Sequence, residues 1–380
     1  ITARMLLGQT SGLSARSSRT GWDSNDGAGA SLQINAKRLG AVPLDREPGA
    51  TFEYADANYD VLGAVVEAAS GENFDAYIRD HVLAPLGMAH TYVDLSSARA
   101  AGLTEGYYRW FGLWNATMDM PYARSAVPSS YVVSTARDQA TLLAARIDEQ
   151  PANRAIDAAL AASLEPLARV DQYSTYASGW FVHPFWPSQP PGSTGTEPGV
   201  PVMYQHSGTA ITYRSYLAFS PAAHFGIVVL ANRDDEVTPS GFDIFTDQLT
   251  RTALGTALPP YRPEEDFIRH YSTAVLVGLP LLQLATVLLV ARARRRARFV
   301  VAAATAVLVA GASLSLLLAY VPSQSTLPIL ATWQTLPDIA IVTATSIAMA
   351  LLLVGVLTLH RRQQRLDQHP ARMPAAASDP

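Results

Sequence analysis

The sequence has no cysteine. That excludes disulfides, thiolate metal sites and cysteine nucleophiles. It leaves the compartment open, although it suits an oxidising exterior. Lysine is almost absent as well. Lys37 is the only one in 380 residues, and the residue three before it is Ile34. The chain therefore holds no Ser-x-x-Lys, the spacing that sets a hydroxyl and an amine one helical turn apart on one face. No Gly-x-Ser-x-Gly elbow occurs in residues 1–266. The eight histidines are scattered and none forms His-Glu-x-x-His, so neither a metal site nor a cofactor is expected.

Charge is missing from the C-terminal part in a patterned way. Residues 271–291, 299–321 and 339–359 carry no charged side chain. Each is long enough to cross a hydrocarbon core, which takes about 20 apolar residues. None has the polar face of a surface helix. Three membrane spans are expected, and without charges inside them they read as an anchor rather than a transport path. Residues 267–380 hold 10 of the 28 Lys+Arg and 3 of the 32 Asp+Glu. Residues 1–266 are therefore net acidic, which argues against a nucleic-acid partner.

Arginine also orients the spans. Arg292, Arg294, Arg295, Arg296 and Arg298 follow the first, and Arg361, Arg362 and Arg365 follow the last. Between the second and third stands only Asp338. Arginine-rich loops stay in the cytoplasm. The reading is a multi-pass cell-membrane protein, its N-terminal domain extracytoplasmic and its C-terminus cytoplasmic, with the lipid bilayer as a partner. The expected division is a globular domain over 1–258, a linker over 259–270, three spans within 271–359 and a tail over 360–380. No signal peptide is present and the chain opens on Ile1, so a further N-terminal portion is expected.

Residues 1–8 read as a short helix ending near Gly8 or Gly12. Residues 14–50 read mostly as loop, with Pro48-Gly49 as a turn. Tyr59, Leu62, Val65, Val66 and Ala69 recur at helical spacing and predict an amphipathic helix over 57–70, stopped by Gly71. Further helices are expected at about 74–84, breaking before Pro85, at 134–147 with Ser134 or Thr135 as cap, and at 154–168. Residues 184–201, dense in Pro, Gly, Ser and Thr, read as a surface loop. Two strands follow: an alternating one over Tyr213–Phe219 and a buried apolar run over Phe225–Leu230, joined as a hairpin. Helices first and antiparallel strands later make the fold class α+β.

Chemistry enters through short segments. Phe52-Glu53-Tyr54-Ala55-Asp56-Ala57-Asn58-Tyr59, followed by Leu62-Gly63, resembles the second motif of the serine β-lactamase and penicillin-binding-protein superfamily. The branch indicated holds class C β-lactamases, D-alanyl-D-alanine carboxypeptidases and related esterases. That motif is Tyr-x-Asn at a helix start; Tyr54 matches the tyrosine and Asp56 stands at the asparagine. Leu6-Leu7-Gly8-Gln9-Thr10-Ser11-Gly12-Leu13 resembles the family's Leu-Leu-x-His-Thr-Ser-Gly-Leu, with Gln9 for His. Val133-Ser134-Thr135-Ala136-Arg137-Asp138 resembles its Ser-Thr-Ala-x-Asp helix start. His206-Ser207-Gly208, ahead of two strands and Leu230-Ala231-Asn232, resembles its third motif, Lys-Thr-Gly or His-x-Gly. Together these cover about residues 1–255.

The resemblance implies a β-lactamase-like fold, helices on an antiparallel sheet, and acyl transfer through an acyl-enzyme. The substrate would be a small-molecule or peptide ester, amide or lactam. Tyr54 and His206 are the catalytic candidates; Asp56, Ser207 and Gly208 are the substrate-binding ones. His206 is expected on an edge strand beside the site. A serine hydroxyl needs a base, and a phenol with an ordinary pKa of about 10 needs nearby positive charge to serve as one near neutrality. The family's Ser-x-x-Lys, which supplies nucleophile and cation, is missing, so this chain alone is expected to be inactive. Asp56 only accepts hydrogen bonds when ionised, and its charge opposes an oxyanion.

Plainer readings stand beside these. Tyr54 is otherwise an aromatic at a helix start, His206 a satisfied structural histidine, Ser207 a strand residue and Ser11 a cap. Tyr107, Tyr108, Trp110, Phe111 and Trp114 line a cleft or pack. Two whole-protein alternatives remain: a catalytically inactive membrane-tethered domain that binds peptide, glycan or protein, and a scaffold whose spans are the functional part.

Overall fold

The computed structural model describes residues 1–14, 17, 31–119, 122–147, 154–184, 201–234, 240–256, 267–293, 299–311 and 337–368. The chain divides into two compact units, Ile1–Arg269 and His270–Pro380.

In the first unit, Thr2 caps a short helix, Ala3–Leu7, by accepting from the Met5 amide, and Gly8 ends it. The 14–50 stretch is not all loop. A helix forms over Leu32–Leu39 because Ser31 caps it through the Ile34 amide and because Leu32, Asn35 and Leu39 recur on one buried face. The helix expected at 57–70 is present as Ala57–Ser70, and Gly71 stops it in the left-handed conformation at φ 75°. Its buried face differs from the expected one. Ala57, Asn58, Asp60, Gly63 and Ala64 face inward, whereas Val65 is exposed. The reason is closeness of packing: a β-carbon on Gly63 would stand 2.3 Å from Cγ of Pro128 and 3.3 Å from Leu32. Only a small face fits there.

The helix from Phe74 does not break before Pro85. Phe74–Ile78 is α-helical, Arg79–Leu83 widens into a π turn, and Ala84–Leu86, which includes Pro85, continues the run to Gly87. Ala136–Ile147 matches expectation, with Thr135 Oγ1 accepting from the Asp138 amide. The next helix, Arg154–Ala162, is shorter than expected. Pro166 lies beyond it, and Ala168–Arg169 is already strand. The 184–201 loop falls almost wholly outside the described residues.

A six-stranded antiparallel sheet follows in plain sequence order: β3 (Ala168–Arg169), β4 (Thr175–Ala177), β5 (Trp180–Pro184), β6 (Val202–Ala210), β7 (Tyr213–Ser220) and β8 (Phe225–Ala231). The β7–β8 hairpin is as expected. The apolar run in β8 is only half-buried, and β8 is the last strand of the sheet. A smaller sheet joins β1 (Tyr107–Trp110), antiparallel to β2 (Trp114–Thr117) and parallel to β9 (Arg233–Asp234). The 136–147 helix covers the large sheet over a core of Leu143, Ala177, Trp180, Val182 and Phe219. Arg146 lies in that layer, 5.0 Å above the Trp180 ring, and burial lowers its pKa to about 10. This is the α+β arrangement expected.

In the second unit, the helices Phe267–Arg292 and Pro337–Gln368 contain stretches long and apolar enough to cross a membrane. Between them, Phe299–Gly311 is shorter, and 312–336 lies outside the described residues. Among the described residues two such helices are present, rather than the three spans expected. Gln283 and Ser346 form a buried hydrogen bond of 3.1 Å between the two long helices, the kind of polar link that apolar helix pairs use.

Candidate active site

Asp56 is the residue just before the 57–70 helix, where an aspartate ordinarily caps the first amides. Here it makes no such bond. Its half-buried carboxylate instead has the Tyr54 phenol as a hydrogen-bonding neighbour. The segment is held from beneath by side chains. The Gln9 carbonyl oxygen accepts from the Ala55 amide at 3.0 Å and from the Asn58 side chain, and Ser11 donates to Asn58. Ser11 also accepts from the Leu13 amide at 3.1 Å and is fully buried. It is a structural hydroxyl, not a nucleophile. Gln9 adopts φ 59° to make these contacts.

His206 is not on an edge strand. β6 lies inside the sheet, with β5 on one side and β7 on the other. The pairing with β5, however, ends at Phe181↔Gln205, while the pairing with β7 runs on to Ala210↔Tyr213. From His206 onward the strand is open on one side, and that open stretch borders the cleft. His206 Nδ1 lies 2.8 Å from the Ser207 carbonyl oxygen. Nδ1 is then the donor, which leaves Nε2 as an acceptor. Burial lowers the His206 pKa below its ordinary value, so the ring is neutral at pH 7.

Tyr54 and His206 face each other with ring centroids 5.9 Å apart. Phe181 lies 6.3 Å from Tyr54, stacked, and 5.7 Å from His206; Tyr176 is 6.5 Å from His206. Phe52, Tyr176 and Phe181 complete the aromatic wall. All five sequence candidates, Tyr54, Asp56, His206, Ser207 and Gly208, line one cleft of about 1370 Å³. The aromatics 107–114 do not line it. They form the β1–β2 hairpin, with Tyr108 buried.

The electrostatics of this cleft favour protonated acids. Burial, then Asp56, pushes the Tyr54 phenol far above its ordinary value. Asp56 is itself raised by burial. One turn along the helix, Asp60 is 2 % exposed, and neither carboxylate oxygen makes a hydrogen bond of ordinary geometry. Burial raises its pKa to about 8, with Asp56 adding to the effect and the nearby Ser129 opposing it. No cation figures among the groups acting on Tyr54, Asp56 or Asp60. In this state Tyr54 is a proton donor. Among the described residues no cluster of three His, Asp or Glu could hold a metal ion.

Sequence reasoning missed Asp60, Phe181 and the pair Ser129–Ser130, whose hydroxyls meet at 3.0 Å on the cleft wall. Asp60 carried a signal, being four residues after Asp56 on the same helix face. Phe181 and the serines carried none. In the Ser134–Asp138 segment, Ser134 and Thr135 line the cleft, while Asp138 has a structural role. The Asp138 carboxylate accepts from the His90 amide and from Thr91 Oγ1, both at 2.8 Å, and so ties that loop to the helix.

The beta-lactamase family model matches residues 1–250. The chain belongs to the beta-lactamase family. Protein flp of Staphylococcus aureus (strain MW2) is 23% identical over 291 residues, 73% of this chain and 53% of that protein. A putative penicillin-binding protein, PbpX of Bacillus subtilis (strain 168), is 31% identical over 90 residues, 24% of this chain and 21% of that one. The chain spans about half the length of the first of these relatives. A class C beta-lactamase superposes with a TM-score of 0.52 at 18% identity, over 69% of this chain and 70% of its own. The octameric penicillin-binding protein homologue from Pyrococcus abyssi gives 0.51 at 20% identity, over 75% and 60%. These structures share the fold, and the superfamily resemblance read from the motifs is borne out.

Proposed function

We propose that the whole protein is a membrane-anchored serine hydrolase that transfers an acyl group from an ester, peptide amide or lactam through an acyl-enzyme. The observation that carries this is the pairing of Tyr54 with His206 across the cleft, 5.9 Å between ring centroids. The present sequence contains neither Ser-x-x-Lys nor a lysine near Tyr54. A Ser-x-x-Lys segment supplied to this cleft would bring the nucleophile and also the cation that the Tyr54–Asp56–Asp60 group lacks. A lysine ammonium there would lower the Tyr54 pKa, turn the phenol into a usable base and neutralise Asp56. His206, with Nε2 as acceptor, and the open edge of β6 would hold the substrate. The two long apolar helices would fix the domain to the membrane, with residues 1–266 outside the cytoplasm by the arginine pattern.

Asp56 favours one second reading. A carboxylate beside a reacting serine would oppose the oxyanion that forms, which suits a domain that binds and never reacts. A fluorescent fluorophosphonate probe separates the two in the natural full-length protein. Labelling is expected, and Tyr54→Phe should slow it by about 10²–10⁴-fold without changing the melting temperature. No labelling of the wild type would support the binding reading. Unchanged labelling in Tyr54→Phe would remove Tyr54 from the mechanism. The 380-residue chain alone should remain unlabelled.

A further inference from the structure

The cleft wall that carries Ser129 and Ser130 rests on polar groups that it does not satisfy. At its head Ser125 is fully buried, and its hydroxyl makes no hydrogen bond. Asn35 is 2% exposed; its Nδ2 donates to the Ser125 carbonyl at 3.4 Å, but its Oδ1 accepts nothing. Further along, Asp60 is buried beside Ser129 with neither oxygen in a hydrogen bond of ordinary geometry. Four such atoms therefore line the join between residues 124–131 and the helices Leu32–Leu39 and Ala57–Ser70. Interiors leave few polar atoms unmet, and each costs free energy until water or a neighbour meets it.

The two sides of this join differ in how far they can yield. On the helix side, Asn58 is interlocked with Gln9 and Ser11, and Gly63 leaves no room against Pro128. On the wall side, Ala126 and Val127 are buried in the core and Val133 pairs with Tyr92. Between those anchors Pro128, Ser129 and Ser130 are only half-buried, and Val132 is 44% exposed. Charge on Asp60 is disfavoured in the closed arrangement. Asp56 on its own helix adds a like charge, and burial keeps the neighbouring phenols of Tyr54 and Tyr131 protonated. Among the described residues of the packed elements, Arg124 pairs with Asp75 at 2.7 Å, and Arg4, Lys37 and Arg38 are exposed. A buried carboxylate without a cation stays protonated or takes up water.

We propose that Asp60 is a positioning residue for the cleft wall 129–132: as a neutral acid it lets the wall close on the helix, and as a carboxylate it draws water into the join and loosens the wall. The proton it gives up leaves to solvent. Ser129, Ser130, Tyr131 and Val132 all line the cleft, so a substrate meets a firm wall below the Asp60 pKa of about 8 and a loose one above it. The consequence for turnover rests on the function proposed above; the movement itself does not.

The test uses the 380-residue chain in detergent. With no cysteine in the sequence, Val132→Cys and Lys37→Cys each take a single nitroxide label. The spectrum at 132 should pass from immobile to mobile with a midpoint near pH 8, while the exposed control at 37 stays constant. Asp60→Asn should remove the transition. Ser129→Ala should move it to higher pH, because Ser129 opposes the raised pKa, and this arm stands even where Asp60→Asn does not fold. A label at 132 that ignores pH would overturn the proposal. So would a transition that persists in Asp60→Asn, or a midpoint that Ser129→Ala leaves unmoved. In the natural full-length protein the same midpoint should appear in KM, and turnover whose KM ignores it would overturn the link to the cleft. A pH-dependent label beside a full-length protein that turns nothing over would remove the hydrolase reading and leave the positioning role standing.

Discussion

Tyr54 and His206 are presented by two cleft walls that are held in different ways. The Tyr54 wall is a helix start tied down by side chains, with Asn58, Gln9 and Ser11 interlocked under it. The His206 wall is a strand placed by backbone register against β7. The two walls also favour opposite pH. Asp60 prefers its neutral acid form, whereas His206 prefers its neutral base form. One wall therefore depends on particular side chains and on low pH. The other depends on main-chain pairing and on a pH above the ordinary histidine range.

Asp60 offers the sharpest break between them. Its folded pKa is raised from 3.8 to about 8, so the folded state binds a proton that the unfolded chain has lost. The contribution is whole below pH 4 and is lost as pH rises through 8. A shift of that size corresponds to something on the order of 6 kcal/mol. Asp60→Asn in this chain should raise the domain's melting temperature clearly at pH 8 and little at pH 4. His206 works in the opposite sense: its lowered pKa costs stability as pH falls below about 6.5, and His206→Gln should flatten only that acid limb. Melting curves at pH 4, 6 and 8 check both. An Asp60→Asn effect independent of pH would mean that the Asp60 pKa is the same in the folded and the unfolded chain.

Asn58→Ala should come next, costing about 3 kcal/mol, because it strands buried Gln9 and Ser11 groups and leaves a cavity. Gly63→Ala should cost about 1–2 kcal/mol. The clash with Pro128 outweighs the better helix propensity of alanine. Pro128 leads into Ser129 and Ser130, so this variant should also move the cleft wall. Thermal unfolding of the detergent-solubilised chain measures both changes.

How much of this was legible in the sequence follows the same division. Tyr54, Asp56 and the 57–70 helix could be read because motif, helix spacing and the Gly71 stop are local. The β7–β8 hairpin was legible for the same reason. The inward turn of Asp60 was not, since the apolar stripe over Tyr59–Ala69 pointed to another face, and only the approach to Gly63 of Pro128, 65 residues further along the chain, decides it. Nor could the sequence show that β5 stops pairing at Gln205 and leaves His206 beside an opening inside a sheet. That depends on the register between strands separated by the 185–200 segment. The helix at 32–39 was hidden because its buried face includes Asn35, a polar residue that bonds to the Ser125 carbonyl at 3.4 Å.

The smallest expected effect tests the strand wall. Ser207 is exposed, pairs with Tyr216 through the backbone, and lies one residue from His206, on the opposite face of the strand. Ser207→Ala removes a hydroxyl but no main-chain bond, so stability should change by less than about 0.5 kcal/mol. A similar exchange on the helical wall, Ser11→Ala, removes a buried donor to Asn58 and should cost about 1–2 kcal/mol. The contrast between these two serines, measured under one condition, isolates how each wall is built. A loss at Ser207 as large as that at Ser11 would mean that the strand wall too is held by its side chains, and that His206 depends on more than the register between β6 and β7.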